Sequence, residues 1–452
     1  MSSETTTVGL DVLTSLAKRR GFVFQASEIY GGLAGFWDYG PYGVELMNNL
    51  KRAWWEAVVY ENQEVFGVDG AIIQNPRLWK ASGHIDSFTD PLVDCQNCGS
   101  RLRADHLAGV DSGDLKELAL MLQCVPCPVC GKQALTEPRY YNMMMKTWVG
   151  PVEDESSVAY LRPETAGSIF TNFENVRETT RSKIPFGIAQ VGKAFRNEIS
   201  PRDFIFRVRE LEQMEMQYFI HPDMQDKQYE RWRQFAWDFL TKRLGLDEKN
   251  LQWHEHAENE RAHYAKAAHD VYFKFPQGFK ELWGTHNRGD YDLTCHMQES
   301  GKDLTYFDEA TRERYTPNVI ESSVGCGRML MAVLTDAYRE EKVGDETRVV
   351  LKIKPEIAPV RAAVLPLSKK PELSALSGKV YKELVQKSRC NIEYDETQSI
   401  GKRYRRQDEI GTPYCVTVDF ESLEDGCVTV RERDSMKQTR VKIEDVANKI
   451  TT

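Results

Sequence analysis

The sequence predicts an α+β chain: an antiparallel sheet flanked by helices, with a small cysteine-rich insertion and a C-terminal α/β domain. Three observations lead there. Strand patterns at 187–198 and 205–220 read as a hairpin, and two C-x-x-C pairs sit at 95–98 and 127–130. Beyond a proline-dense stretch holding Pro355, Pro359, Pro366 and Pro371, strand and helix patterns alternate. At 452 residues the chain exceeds the roughly 250 to 300 at which single cores stop growing, so more than one domain is expected.

Hydrophobic residues at 41% and charged residues at 28% exclude fibrous and disordered classes. Met1 to Leu16 carries Glu4 and Asp11 and lacks a secretory apolar run, and no stretch approaches the roughly 20 apolar residues of a membrane span. A cytoplasmic protein without membrane partners is expected. Ten cysteines in such a chain favour thiols or metal over disulfides. The net charge of -9 supplies no global field for nucleic acid, so RNA contact needs a local basic patch, and no DNA partner is expected.

Val44, Met47, Leu50, Trp54 and Val58 fall at helical spacing, and Val65 to Gln74 reads as a strand ending at Asn75-Pro76. Residues 91–138 form the insertion. Trp232 to Arg243 and Asn259 to Ala268 suggest helices, followed by short strands through 279–307 and up to Glu321. The turn Gly325-Cys326-Gly327 opens an apolar helix from Arg328 to Tyr338. Past the prolines, 362–366, 373–387, 392–395, 416–420 and 427–433 complete the α/β domain.

In the second hairpin strand Arg207, Arg209, Leu211, Gln213, Glu215 and Gln217 share one face, and Phe206, Val208, Met214, Met216 and Tyr218 the other. So many charged and amide groups are costly to bury without ligands, so that face should line a polar cleft. Phe195-Arg196-Asn197-Glu198 puts an arginine, whose planar fork suits phosphate, at the mouth of the hairpin. The segment FRNEISPRDFIFRVRELEQMEMQYF at 195–219 resembles motif 2 of class II aminoacyl-tRNA synthetases, in the form found in the glycyl enzymes. A helix and strand ending at Pro76 resemble motif 1, and VIESSVGCGRMLMAVL at 319–334 resembles motif 3. YGGLAGFWDYGPYG from 30, YLRPETAGSIF from 160 and DYDLTCHMQESGKDLTYFD from 290 are also similar to the glycyl family, so the resemblance covers nearly the whole chain.

The resemblance implies activation of glycine with ATP and Mg2+, transfer to tRNA(Gly), and a homodimer. It makes 1–90 with 139–345 the catalytic domain and 355–452 an anticodon-binding domain. Arg196, Glu198 and Arg328 are the implied catalytic residues. Arg196 would hold the α-phosphate and the attacking carboxylate, where a fixed cation stabilises charge building on equatorial oxygens. Glu198 would accept from the adenine amino group, Arg207 would meet the triphosphate, and Arg328 would cap adenine. Asn197, Phe206, Val208, Arg209, Glu210 and Leu211 would complete one ATP-binding wall, and Leu282, Gly325, Cys326 and Gly327 another. Glu281 would help hold Mg2+ between phosphates.

For glycine the family points to Arg103, Glu164, Glu215, Glu321 and Ser323, flanked by Leu211, Glu212, Gln213, Met214, Ser322, Val324 and Gly325. Carboxylates converging on one ammonium should shift their pKa values when the site is empty. Glycine has no smaller competitor, so an editing domain is not expected. Two positions depart from the class pattern: Leu211 stands where an adenine-stacking phenylalanine is common, and Gly327 replaces an acid that often precedes the motif 3 arginine.

Cys95, Cys98, Cys127 and Cys130 have the spacing of two zinc knuckles, which fits a structural zinc or a metal-free ribbon with reduced thiols. His254, His256 and His263 lack ligand spacing and read as solvated helix histidines. Lys402, Arg403, Arg405 and Arg406 surround Tyr404 in a segment similar to class IIa anticodon-binding domains, where cations meet phosphate. A non-catalytic binding relative of the same fold, or a class IIa enzyme for another amino acid, is the alternative reading.

Overall fold

The computed structural model describes residues 8–110, 112–256 and 266–451. Its centre is a seven-stranded sheet of β1 (Val65–Gly67), β2 (Phe186–Phe195), β3 (Glu210–Ile220), β4 (Leu251–Glu255), β5 (Ala267–Phe275), β6 (Gly278–Gly289) and β7 (Asn318–Gly325). The order is β4-β5-β6-β7-β3-β2-β1. Every neighbouring pair is antiparallel except β1 on β2.

The period-2 alternation of β3 gives the sheet two unlike faces. Met214, Met216 and Tyr218 are fully buried in the main core. That face is covered by the helices Pro41–Trp55, Gln225–Asp238 and Cys326–Ala337. The last of these is apolar nearly all round, as a helix enclosed by core must be. The opposite face carries Gln213, Glu215 and Gln217 and is left open over part of its area.

Several elements differ from expectation. The strand expected over 65–74 divides: β1 pairs with β2, and the chain then crosses to a separate sheet where Ile73–Gln74 pairs with Leu161 and Tyr160. Backbone bonds from Arg162 to the Ile72 carbonyl, and from its side chain to the Gly70 carbonyl, draw the segment away. The hairpin strands are shorter and their connection, 196–209, longer, because the backbone there turns to other partners: Asn197 N–H binds the Met143 carbonyl, Arg209 N–H the Gly35 carbonyl, and Arg202 bridges to Arg207. Residues 278–289 form one long strand, and Tyr291–Ser300 is a helix where short strands are expected. His254 lies on β4 and His256 just beyond it, not on a helix. His263 and most of the helix expected over 259–268 lie outside the described residues, and Ala267 and Ala268 begin β5.

The insertion folds on a three-stranded sheet of Thr89–Asp94, Arg101–Arg103 and Arg139–Asn142, with a small core of Val93, Ala104, Leu118 and Leu122. At the C-terminus a five-stranded mixed sheet runs Ile392–Tyr394, Ala362–Pro366, Tyr414–Val418, Cys427–Glu432, Gln438–Lys442. A hairpin of Tyr338–Val343 and Glu346–Leu351 joins this unit to the rest. Arg348 of that hairpin donates to both oxygens of Asp408 at 2.7 and 2.8 Å, and Arg431 donates to the same carboxylate at 3.0 and 3.2 Å.

Candidate active site

The open face of the sheet is the floor of a cleft of about 380 Å³. Strand register sets its layout: Glu215 stands opposite Ser323 and Gln217 opposite Glu321 across β3 and β7, and His286 of β6 stands opposite Glu321 on the other side. Gln217 Nε2 donates to Glu215 at 2.8 Å and to Glu321 at 3.0 Å. Arg288 Nη1 donates to Glu321 at 2.6 Å, and its other nitrogens hold Asp292 at 2.8 Å. The Thr165 hydroxyl donates to Glu215. Glu164, at the start of the segment leading into helix Ala166–Thr171, lies 3.4 Å from His84 Nε2.

These carboxyls do not titrate alike. Burial, with the charges of Glu321 and Glu164, pushes Glu215 up to about 8. Against the same burial, Arg288 and His286 hold Glu321 far below the usual carboxylate range, and His84 and Arg288 lower Glu164. One end of the cleft is therefore an anionic group in which one member takes a proton when the site is empty.

The other end is cationic. Arg196 is fixed by its Nε bond to the Pro163 carbonyl at 3.1 Å and lies over the Phe88 ring at 5.6 Å. Arg328, in the first turn of helix Cys326–Ala337, sits 4.3 Å over Phe206 and pairs with Glu281 at 3.0 Å. Arg207 Nη1 and Glu198 Oε2 are buried without a hydrogen-bond partner among the described residues. Buried donors and acceptors of this kind are costly unless a ligand completes them. The Gly325 cap leaves the helix N–H groups uncapped by any side chain, a ready position for an anion. Arg103 reaches this cleft from the insertion, held by Asp90 at 2.7 Å and by Asp105.

Both departures from the class pattern have a local setting. A Cβ at Gly327 would lie 3.0 Å from the Tyr39 hydroxyl and 3.2 Å from the Ile205 carbonyl, so an acid would crowd the wall. Leu211 lines the cleft beside Phe206, which supplies the nearby aromatic face.

Of the expected residues, Arg196, Glu198, Phe206, Arg207, Val208, Leu211, Glu281, Gly325, Gly327 and Arg328 line the cleft toward its cationic end. Arg103, Glu164, Glu212, Gln213, Glu215, Glu321, Ser323 and Val324 line it too. Others face elsewhere. Met214, Leu282 and Cys326 are buried in the core, and Ser322 accepts from Trp283 Nε1. Arg209 is taken up by the carbonyls of Glu198 and Ala34, Glu210 pairs with Lys193, and the Asn197 N–H binds the Met143 carbonyl. Tyr39, Met143, Ile205 and His286 line the cleft without having been expected. The polar alternation of His286 and Arg288 on one strand face was the available signal.

The four insertion cysteines converge. Cys95 and Cys130 sulfurs are 3.6 Å apart, Cys98 and Cys127 sulfurs 3.8 Å, and all four lie within 4.8 Å of one another. A tetrahedral zinc with bonds near 2.3 Å requires sulfurs roughly 3.8 Å apart. Each pair forms the same knuckle: Gly99 N–H binds the Cys95 carbonyl and Gly131 N–H the Cys127 carbonyl, both at 2.8 Å, and both glycines have φ +71°. Cys124 is exposed.

On helix Ile400–Ile410 the four expected cations divide. Arg403 is buried and donates to the carbonyls of Pro366 and Asp395, so it does not face solvent. Arg405 pairs with Glu346 at 2.8 Å and Arg406 with Asp395, whereas Lys402 is exposed.

Residues 150–337 match the tRNA synthetase class II core domain (G, H, P, S and T), and residues 361–452 match the anticodon binding domain. The glycine–tRNA ligase of Clostridium acetobutylicum is 51% identical, covering 97% of this chain and 97% of its own length. That of Treponema denticola is 50% identical over 98% and 97%. A structure of Giardia lamblia prolyl-tRNA synthetase with prolyl-adenylate superposes with a TM-score of 0.67 at 16% identity, covering 98% of this chain and 76% of that one, a likeness of fold. With a synthetase core around a two-ended cleft, an anticodon-binding unit behind it, and half of its residues shared along nearly its whole length, the chain belongs to the glycine–tRNA ligase family of class II aminoacyl-tRNA synthetases.

Proposed function

We propose that this chain joins glycine to ATP as glycyl-adenylate and passes the glycyl group to tRNA(Gly). The observation that carries this reading is the polarity of one sheet face: Glu164, Glu215 and Glu321 converge at one end, and Arg196, Arg207 and Arg328 stand at the other. An amino acid entering ammonium-first meets the carboxylates, and its own carboxylate then points toward a polyanion held by the arginines.

In the first step a glycine carboxylate oxygen attacks the α-phosphorus, the bond to the bridging oxygen breaks, and pyrophosphate leaves. Arg196, already fixed by Pro163, donates to the equatorial oxygens as charge accumulates there. Glu198 accepts from the adenine amino group, Phe206 and Leu211 wall the base, and Arg207 and Arg328 take the outer phosphates. Mg2+ bound with ATP would neutralise the triphosphate, and Glu281, half exposed on the wall, is the carboxylate positioned to share it. In the second step a terminal ribose hydroxyl of tRNA attacks the glycyl carbon and AMP leaves.

The division of labour follows the chain: 1–90 with 139–345 for catalysis, 91–138 for a zinc ribbon that places Arg103, and 355–452 for the anticodon. The sulfur geometry supports zinc on Cys95, Cys98, Cys127 and Cys130. Lys402, with Arg405 and Arg406 at the surface of the same helix, meets RNA phosphates, and buried Arg403 supports that helix instead. Exposed Tyr60, Ile72 and Ile73 in the motif 1-like segment favour a homodimer. Among the described residues no helix is long and apolar enough to cross a membrane.

ATP–pyrophosphate exchange tests the central reading: glycine should support it and proline, serine, threonine and histidine should not. Absence of exchange with glycine refutes the proposal, and Arg196→Ala should slow the reaction by about 10² to 10³-fold in a folded protein.

Glu215 predicts a pH dependence. Its pKa of about 8 lies above the ordinary 4.5, so the empty native state binds an extra proton between these values and loses stability as pH rises through them. An arriving ammonium expels that proton, so glycine affinity should climb from pH 6 toward pH 8 by up to about tenfold per unit. Calorimetry in buffers of different ionisation enthalpy should find roughly one proton released at pH 7; pH-independent binding contradicts the assignment.

Protein purified without chelator should carry about one zinc per chain by mass spectrometry, and Cys98→Ser should lower that content and the melting temperature. Metal-free wild-type protein ends the zinc reading. Lys402→Glu should cut kcat/KM for tRNA charging several-fold and flatten its salt dependence, leaving glycine-dependent exchange unchanged; equal losses in both assays rule out an RNA-specific role.

A further inference from the structure

Glu321 is supported from two sides. Arg288 holds one oxygen, and the other lies 3.1 Å from His286 Nδ1. The second ring nitrogen, His286 Nε2, is 3.2 Å from Asp270 Oδ1, and Asp270 Oδ2 is 2.7 Å from His256 Nε2. Asp270 and Glu321 are 3% and 5% exposed, so neither exchanges these partners for bulk water. An imidazole between two carboxylates donates from both nitrogens only as the imidazolium.

The register of β5, β6 and β7 builds this chain of groups. His286 is directly opposite Glu321 across β6 and β7, but on the β5 side the residue opposite Asp270 is Gly284, and His286 is its diagonal neighbour. The two meet because position 284 carries no side chain. A Cβ there would lie 3.1 Å from two atoms of the His286 ring and 3.3 Å from Asp270 Oδ1.

We propose that His286 is a positioning residue for the amino-acid substrate: clamped by Asp270, with His256 behind, it fixes Glu321 against the substrate α-ammonium. This rests on the reading of the cleft as the glycine site. Among the described residues, the charged and titratable groups facing His286 include Asp270 from β5, Glu321 from β7 and His256 from beyond β4, with Arg288 on the far side of Glu321. Glu215 and Glu164 lie beyond Gln217 and Arg288.

Three buried carboxyls around one ammonium repel one another, and burial adds to the pressure to protonate. Glu215 yields to it. Glu321 does not, because two cations flank it; burial opposes charge on His286, yet Asp270 and Glu321 hold its pKa up at about 10. Glu321 is therefore ionised when glycine arrives. Asp270 balances the imidazolium and offsets part of the cost of its charge in the sheet interior.

The test is glycine-dependent ATP–pyrophosphate exchange by the full chain. Wild type comes first: failure of glycine to support exchange there defeats the reading of the cleft, separately from the role of His286. His286→Gln retains a donor without the charge and should raise KM for glycine about 10- to 100-fold, with KM for ATP and kcat within about twofold. The acid limb of kcat/KM for glycine should move to higher pH, because Glu321 then joins Glu215 in taking a proton. Asp270→Asn should give a smaller shift of the same kind, and Gly284→Ala should reproduce the defect by crowding the ring. These two carry the same readouts if His286→Gln fails to fold. Equal rises in KM for glycine and ATP, or an unmoved acid limb, overturn the proposal. So does a chelator effect on wild-type glycine KM that His286→Gln abolishes, since His256, Asp270 and His286 would then be holding a metal ion.

Discussion

The bond between Arg288 and Glu321 sits inside the sheet, with both side chains under a tenth exposed, and the character of the cleft depends on it. Isolated, each charge would cost several kcal/mol to bury. Together with Asp292 they form a satisfied triad, whose bidentate arm also ties β6 to helix Tyr291–Ser300. The anionic end of the cleft can be dry because its charges are paired before any substrate enters.

From that constraint the rest of the site follows. With Glu321 anchored, Glu215 becomes the adjustable carboxyl and Gln217 the amide that spaces them. The cationic end is organised differently. Arg196 is held by one carbonyl and a ring, Arg328 by two carbonyls, the Phe206 ring and the Glu281 carboxylate, and Arg207 has a buried nitrogen without a partner among the described residues. A polyanion meets donors preset in direction and only partly engaged, the arrangement that stabilises developing charge at least reorganisation.

Much of this was legible in the chain. Alternation in 210–220 gave the cleft-facing set Leu211, Gln213, Glu215 and Gln217, because side-chain direction in a strand is a local property. The cysteine spacing gave the knuckles for the same reason. What escaped was set by nonlocal pairing. Arg209 continues the charged row in sequence, but the strand begins only at Glu210, so its guanidinium turns to backbone carbonyls. Arg403 stands in a basic run, yet helical phase directs it inward beneath Pro366. His286 and Arg288 alternate on one strand face, but their partners Asp270 and Glu321 lie 16 to 35 residues away in sequence, and no local pattern announces which residues those are.

Asp408 has a further consequence. It accepts four hydrogen bonds from Arg348 and Arg431, one donor lying on the connecting hairpin and the other within the C-terminal sheet. Swivelling the C-terminal unit against the hairpin would break the buried Arg348–Asp408 pair, a cost of about 3 to 5 kcal/mol. The C-terminal unit is thus clamped, like the end of a ruler, to the hairpin that leads into it. A gauge clamped in this way keeps its spacing from the hairpin for as long as the buried Arg348–Asp408 pair holds.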